Sequence, residues 1–474
     1  MQLLTLHELG TFGRPSISNL MWRTLSAWSR LAVPLLAAVM SLAALDANAA
    51  LRYVRQGATG AQDGSDWTNA YSSLPSALVR GDTYFVADGA YAGLTFSTAA
   101  NGTIPITIKK ATRADHGTSS GWVDSYGDGQ VSFSGGFSFT SPYWILDGQT
   151  GGGAINAWSQ GFGFKVTETG DDTAVIKVAG TANNVTIQHV DLQGKGSVSV
   201  SGGSASNDGL AVYGASNVTL SYFRMQGIGR CPFFVSPRNL VVEHGWVQSF
   251  YGSSAVHSEV ASIWAFAGSI GDVTFRYNLF TDIQSTGGLM WDNSSNASAG
   301  MAVYGNVFYK PAGANWDRAN GVIGGWTGGN GEQFRNVLVY NNSFVNVDQE
   351  SLSTFPNVYS GNVAYNNLFY NSASPSFSKF GNHNNNHFIN SGGAQSEPNG
   401  TSAASGDPFV NMAALDFRLK AATSPGVTLL APFNADPYGK VRGSDGTAER
   451  GAFEFTSGGA AIVSLAPPNN LSVR

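Results

Sequence analysis

Val337-Leu-Val-Tyr-Asn-Asn-Ser-Phe344 is the stretch on which the fold turns. In an extended chain Val337 and Val339 point to one side, and this period of two marks a strand with one buried face. The strand runs into Asn-x-Phe, and that phrase returns. It stands at Asn278-Leu-Phe280, Asn306-Val-Phe308, Asn342-Ser-Phe344, Asn367-Leu-Phe369 and Asn386-His-Phe388. Short alternating runs precede the first four: Val273–Tyr277, Met301–Gly305, Val337–Asn341 and Val363–Asn366. Without the Asn, the pattern extends upstream to Val185–His189, Val218–Tyr222 and Leu240–His244.

Repeats spaced about 20 to 36 residues apart are the mark of solenoid coils with loop insertions. Stacking them buries Val185/Ile187, Val218/Leu220, Leu240/Val242, Val273/Phe275, Met301/Val303 and Val337/Val339 in one continuous core. It also lets the repeated Asn form a ladder between coils. A β-sandwich would need Asn-Gly hairpin turns between strands, and these are scarce. The expected fold is all-β: a right-handed, single-stranded parallel β-helix.

Composition agrees. Of 474 residues, 59 are Gly and only 12% are charged, which suits strands and turns better than helices. A net charge of -5 lacks the basic footprint of a nucleic-acid binder. Cys231 is the only cysteine, so intrachain disulfides and thiolate metal sites are excluded. Arg23 and Arg30, the apolar run Leu31–Leu45 and Ala47-Asn48-Ala49 read as an export signal over residues 1–49, with Met21 a plausible start. The solenoid is expected over 50–455. Residues 456–474 read as a linker or tail, with Ala466–Arg474 similar to the first strand of a fibronectin type III module. The protein is expected to be secreted, to the periplasm or outside the cell, free of the membrane after signal cleavage, and monomeric.

The ends carry a further signal. Thr68–Val79 suggests a short helix before a strand at Asp82–Val86, together an N-terminal cap. YVRQGATGAQDGSDWTNAYSSLPSAL followed by GDTYFVADGAYAG (from Tyr53) resembles the opening of bacterial right-handed parallel β-helix proteins of the pectate-lyase-like superfamily. DPFVNMAALDFRLKAATSPGV (from Asp407) and RGAFEF (from Arg450) resemble its close. The superfamily hosts pectate, alginate and chondroitin lyases, epimerases, glycoside hydrolases and phage tailspikes, so the resemblance speaks to fold more than to activity.

Two constellations are candidates for chemistry. One position beyond the buried pair stand Gln188, Ser221, Glu243, Arg276, Tyr304, Tyr340 and Tyr365, about 4.8 Å apart per coil. Such a stripe, if exposed, offers tyrosine faces to sugar rings and an arginine to a uronate carboxylate. The plainer expectation is a Glu243–Arg276 cross-strand pair shielded by tyrosines. The second lies in loops: His257 and Glu259 follow their coil mark by the same 12-residue interval that separates Asn278 from Met290. That register stacks Glu259 near Asp292, with Trp291 and Trp326 beside them. The plainer expectation for His257 and Glu259 is a mutual hydrogen bond in a half-buried turn. Trp316 and Arg318 in the long 310–335 insertion have the mix of a sugar subsite.

G-x-S-x-G, H-E-x-x-H and phosphate-binding loops are absent. So are the Asn-Thr-Asp, Asp-Asp and Arg-Ile-Lys set of polygalacturonase-type hydrolases and the Asn-Lys plus Arg pairing of β-helix alginate and chondroitin lyases. The leading expectation is a polysaccharide lyase acting on an anionic, uronate-containing glycan. β-Elimination needs a neutralised carboxylate, a base for the C5 proton and an acid for the leaving oxygen. Arg276, or Ca²⁺ held by Glu259 and Asp292, is the expected neutraliser. His257 is the expected base, with Arg230 or Lys310 as substitutes, and Tyr304 the acid. Glu243, Trp291, Trp316, Arg318, Trp326, Tyr340 and Tyr365 are expected to line the substrate. The rivals are a glycoside hydrolase using Glu259 and Asp292 as its carboxylate pair, and a non-catalytic glycan-binding adhesin.

Overall fold

The computed structural model describes residues 49–456, apart from 154–157, 159, 197–206, 251–257, 266–267, 284–286, 315–320, 326–332, 349–350, 353–358, 393–396 and 404. The export-signal reading and nearly all of the tail lie outside the described residues. The chain folds as a right-handed parallel β-helix. Its strands stack into three faces, here called sheets A, B and C. Sheet A runs from Leu51–Val54 through Ile106–Lys110 and Met301–Tyr304 to Phe380–Asn384. Sheet B includes Phe164–Thr167, Val307–Tyr309, Ser343–Val345, Leu368–Tyr370 and His387–Ile389. Sheet C includes Ala174–Val178, Asp208–Tyr213, Phe233–Ser236, Glu259–Ile263 and Gly287–Trp291. No α-helix occurs among the described residues.

The corner between sheets A and B explains the repeat. Its bend residue takes a left-handed φ: +57° at His189, +53° at His244, +61° at Tyr277, +51° at Asn341 and +57° at Asn366. Asn tolerates that region better than most side chains, which is why the later coils use it. The next residue is the repeated Asn, fully buried at 278, 306, 342, 367 and 386. Each of the first four donates its backbone N–H to the side-chain oxygen of the next, at 2.8 to 3.0 Å. Its amide nitrogen donates to that same oxygen and to a backbone carbonyl one coil back; for Asn342 these are Asn367 Oδ1 at 3.0 Å and Val303 O at 2.9 Å. Two residues on, Phe280, Phe308, Phe344, Phe369 and Phe388 stack inside with centroids 4.9 to 5.2 Å apart. The ladder satisfies buried corner amides and the phenylalanines fill the core.

The expected N-terminal helix does not form. Pro75 supplies no N–H, and the backbone of Tyr71 is committed to strand Leu51–Val54, donating to Tyr53 O at 2.9 Å and accepting from Arg55 N at 2.8 Å. The cap is instead an aromatic cluster of Tyr53, Trp67 and Phe85 with Trp122 and Tyr126 packed against it. At the other end Phe409–Asn411 and Asp416–Leu419 form an antiparallel pair, and the chain from about 426 to 455 returns along the solenoid. Its contacts fall on sheets A and B: Pro437 O on His244, Ala435 O on Tyr277, Phe433 on Tyr304, Val427 O on Asn366 and Ala452 N on Ser343.

Candidate functional site

The sheet A register is the expected one. Gln188, Ser221, Glu243, Arg276, Tyr304, Tyr340 and Tyr365 stand directly opposite one another on successive coils. Arg276 Nε donates to Glu243 Oε2 at 2.5 Å, and its Nη1 donates to the Tyr304 hydroxyl at 3.0 Å. Burial opposes the Arg276 charge, but Glu243 and Tyr304 outweigh it and hold the guanidinium above its ordinary value. The expected exposure is not found. Tyr304 is 2% exposed and Tyr340 8%, both under Phe433, and Tyr365 is half-buried. Burial pushes the Tyr340 phenol up to about 12 and raises Tyr304 as well. The stripe is a docking face for the returning chain.

In the loop constellation Glu259 and Asp292 do not converge either. Trp246 pairs with Leu279 on sheet B, but Ser262, not His257, pairs with Met290 on sheet C. The earlier coil therefore carries five more residues between these faces than the equal 12-residue interval assumes. Glu259 lies opposite Gly287, which puts Asp292 roughly 16 Å further along the strand direction. Glu259 is buried, with Cys231 Sγ 3.7 Å from its Oε2. Asp292 is closed into a turn, accepting from Ser294 N at 2.9 Å and Gln333 N at 3.1 Å. These two carboxylates do not fit a shared Ca²⁺, nor a hydrolase pair. Trp291 points into the core, fully buried, and donates to Arg335 O at 3.0 Å. Lys310 pairs with Asp348. His257, Trp316, Arg318 and Trp326 lie outside the described residues.

Functional groups do converge outside sheet C. There a cleft of about 520 Å³ is lined by Lys177, Asp208, Tyr213, Arg230 and Phe234, with Gly93, Gly135 and Gly136 at one side. Inward residues Ile176, Leu210 and Phe233 are core, so the alternate residues Lys177, Ala211 and Phe234 face out in one row. The Lys177 ammonium lies 5.5 Å from the Tyr213 ring centre. Tyr213 meets Phe234 edge-on at 6.3 Å, and Phe234 meets the exposed Trp264 at 6.2 Å. The Arg230 guanidinium lies 4.1 Å over Phe234.

Arg230 is anchored from below. Asp208 accepts from Arg230 Nε at 2.8 Å, from Arg230 Nη2, and from Cys231 N at 3.2 Å. Burial raises the Asp208 carboxyl against the pull of Arg230. For Arg230, burial opposes the charge, but Asp208 prevails and the guanidinium titrates above its ordinary value. It is a fixed cation and cannot serve as a base. Burial also raises the Tyr213 phenol, so it is protonated at neutral pH. A fixed cation, an amine, a phenol and an aromatic row on one open face can bind a carboxylated sugar and move protons on it.

Sequence reasoning singled out Arg230 but missed Lys177, Tyr213 and Phe234. The signal was present: Ala174–Val178, Gly209–Tyr213, Phe233–Ser236 and Val260–Trp264 all alternate, as the third strand of each coil.

No family model matches the chain, and no curated protein matches it. Among solved structures, the pectate lyase Pel9A is similar with a TM-score of 0.47 and 14% identity, over 87% of this chain and 98% of that one. The PL6 family polysaccharide lyase Pedsa3628 from Pseudopedobacter saltans is similar with a TM-score of 0.35 and 13% identity, over 75% of this chain and 95% of that one. No helix among the described residues is long and apolar enough to cross a membrane.

Proposed function

We propose that this chain is an exported polysaccharide lyase that cleaves an acidic, uronate-containing glycan by β-elimination on the outer face of sheet C. The observation that carries the reading is the convergence of Lys177, Tyr213 and the Asp208-anchored Arg230 in one open cleft. Arg230 uses two of its five N–H donors on Asp208, and a guanidinium edge pairs well with a planar carboxylate. Neutralising that carboxylate acidifies the C5 hydrogen. Lys177 takes the C5 proton; the C5–H pair becomes the C4–C5 double bond as the C4–O4 bond breaks. Tyr213 gives its proton to O4. Phe234 and Trp264 extend an apolar shelf along the sheet for neighbouring rings. No step calls for a metal.

A screen of polygalacturonate, alginate, hyaluronan, chondroitin and ulvan tests this. Product ends absorbing in the ultraviolet as unsaturated uronates are expected on at least one. New reducing ends without that absorbance would instead identify a hydrolase, and retention without products a binding protein.

A further inference from the structure

The returning C-terminal chain carries a carboxylate cluster away from the proposed cleft, in which Glu454 accepts from Gly443 N at 2.6 Å and Glu449 N at 3.1 Å. Ligand oxygens of Asp445, Glu449 and Glu454 lie within 4.8 Å of one another. Oxygens on opposite sides of a Ca²⁺ ion stand about 4.8 Å apart, twice a bond of about 2.4 Å. Carboxylate proximity alone would say little, but one oxygen is out of place. Glu449 is 0% exposed, and its Oε1 is buried with no hydrogen-bond partner. Its Oε2 accepts from Phe455 N at 3.3 Å. A buried carboxylate oxygen left unpaired is strongly unfavourable unless a cation or a shared proton meets it.

The charge balance points the same way. Asp436, Asp445, Glu449 and Glu454 stand against Lys440 and Arg442, four negative groups to two positive. Arg442 Nη1 lies 3.5 Å from Glu454 Oε2, and Lys440 Nζ lies 3.8 Å from Asp445 Oδ2. Asp436 is satisfied by the backbone, accepting from Tyr438 N and Lys440 N, each at 2.9 Å.

We propose that Asp445, Glu449 and Glu454 bind a divalent cation of the Ca²⁺ class, which staples the returning chain to the solenoid. The backbone between these ligands makes the docking contacts. Glu449 O accepts from Asn341 Nδ2 at 3.0 Å, Gly451 N donates to Asn366 O at 2.7 Å, and Ala452 N donates to Ser343 Oγ at 3.0 Å. Filling the site therefore stiffens the segment that seals the corner of the Asn ladder. The site is remote in sequence from the sheet C cleft, and the inference does not rest on the lyase reading.

The test uses the purified full chain, stripped of metal and titrated with CaCl₂ by calorimetry and by thermal melting. Wild type is expected to bind Ca²⁺ and to melt several degrees higher with it, as roughly a thousandfold excess over Kd predicts. Glu449→Gln should bind one ion fewer and lose the shift. Its metal-free melting point should not fall, because the amide removes a buried charge beside Glu454. Asp445→Asn, at the exposed ligand, should weaken the same ion at least tenfold and covers the case in which Glu449→Gln misfolds. Failure of wild type to bind Ca²⁺, Mg²⁺ or Mn²⁺ overturns the proposal. So does an undiminished shift in Glu449→Gln. A melting point that follows pH but no cation also overturns it, and assigns a proton shared by Glu449 and Glu454.

Discussion

Phe433 meets Tyr304 edge-on, ring centroids 5.0 Å apart, and meets Tyr340 in the same way at the same distance. One ring from the returning chain thus closes the tyrosine stripe of sheet A. Phe433→Ala should cost about 1 to 3 kcal/mol, the worth of two edge-on pairs, read as a lower denaturant midpoint. Glycan turnover should not change, because the cleft lies on another face.

The Asn ladder makes a sharper stability prediction. Asn342→Ala takes the side-chain partner from Asn306 N and Val303 O in a dry interior, and leaves Asn367 Oδ1 with only the backbone N–H of residue 342. A loss of about 3 to 5 kcal/mol is expected, against about 0.5 kcal/mol or less for an ordinary surface change. The ladder ends on Glu397, whose Oε1 accepts from both Asn386 N at 3.2 Å and Asn386 Nδ2 at 2.6 Å. Glu397→Gln keeps that acceptor and should be much milder than Glu397→Ala. Equal losses for the two would show that the acceptor is not what matters.

In the cleft, Asp208→Asn should weaken the anchor of Arg230 and lower both stability and turnover. Removing one partner of a buried pair costs about 3 to 5 kcal/mol, so the neutral isostere is the informative variant. Arg230→Lys retains charge but loses the fork geometry. It is expected to raise KM for the polyanion more than it lowers kcat.

Acid should loosen the docked chain at His244. Burial lowers its pKa, with Glu243 opposing and Arg276 assisting, and its Nε2 is 3.2 Å from Pro437 O. A histidine depressed in the fold binds more protons when unfolded. Stability is therefore full above the unfolded value of about 6.5 and declines as pH falls from there toward the folded value. His244→Phe, which retains a ring between Tyr222 and Tyr277, should flatten that slope in a series of melting curves. An unchanged slope would assign the acid sensitivity elsewhere.

The solenoid and the sheet A register were legible because both follow from a local period of two and a repeated Asn. Val185, Val218, Leu240, Val273, Met301 and Val337 all align as expected. What covers the stripe was not legible. Phe433 is more than 90 residues beyond Tyr340 and carries no periodic mark. The pairing of Glu259 with Asp292 failed for a different reason: coil loops differ in length, so an offset counted across a corner drifts while one counted along a strand does not. Trp291 shows the same limit, since a one-residue change of parity turns a sugar platform into core.

Lys177 is the residue on which the account of function rests. Lys177→Met and Tyr304→Phe, assayed side by side on the responsive glycan for ultraviolet-absorbing unsaturated ends, test it most directly. The account predicts that Lys177→Met loses about 10² to 10⁴ in turnover with an unchanged melting point, while Tyr304→Phe retains wild-type turnover. Turnover retained in Lys177→Met and lost in Tyr304→Phe would contradict it and return the chemistry to sheet A.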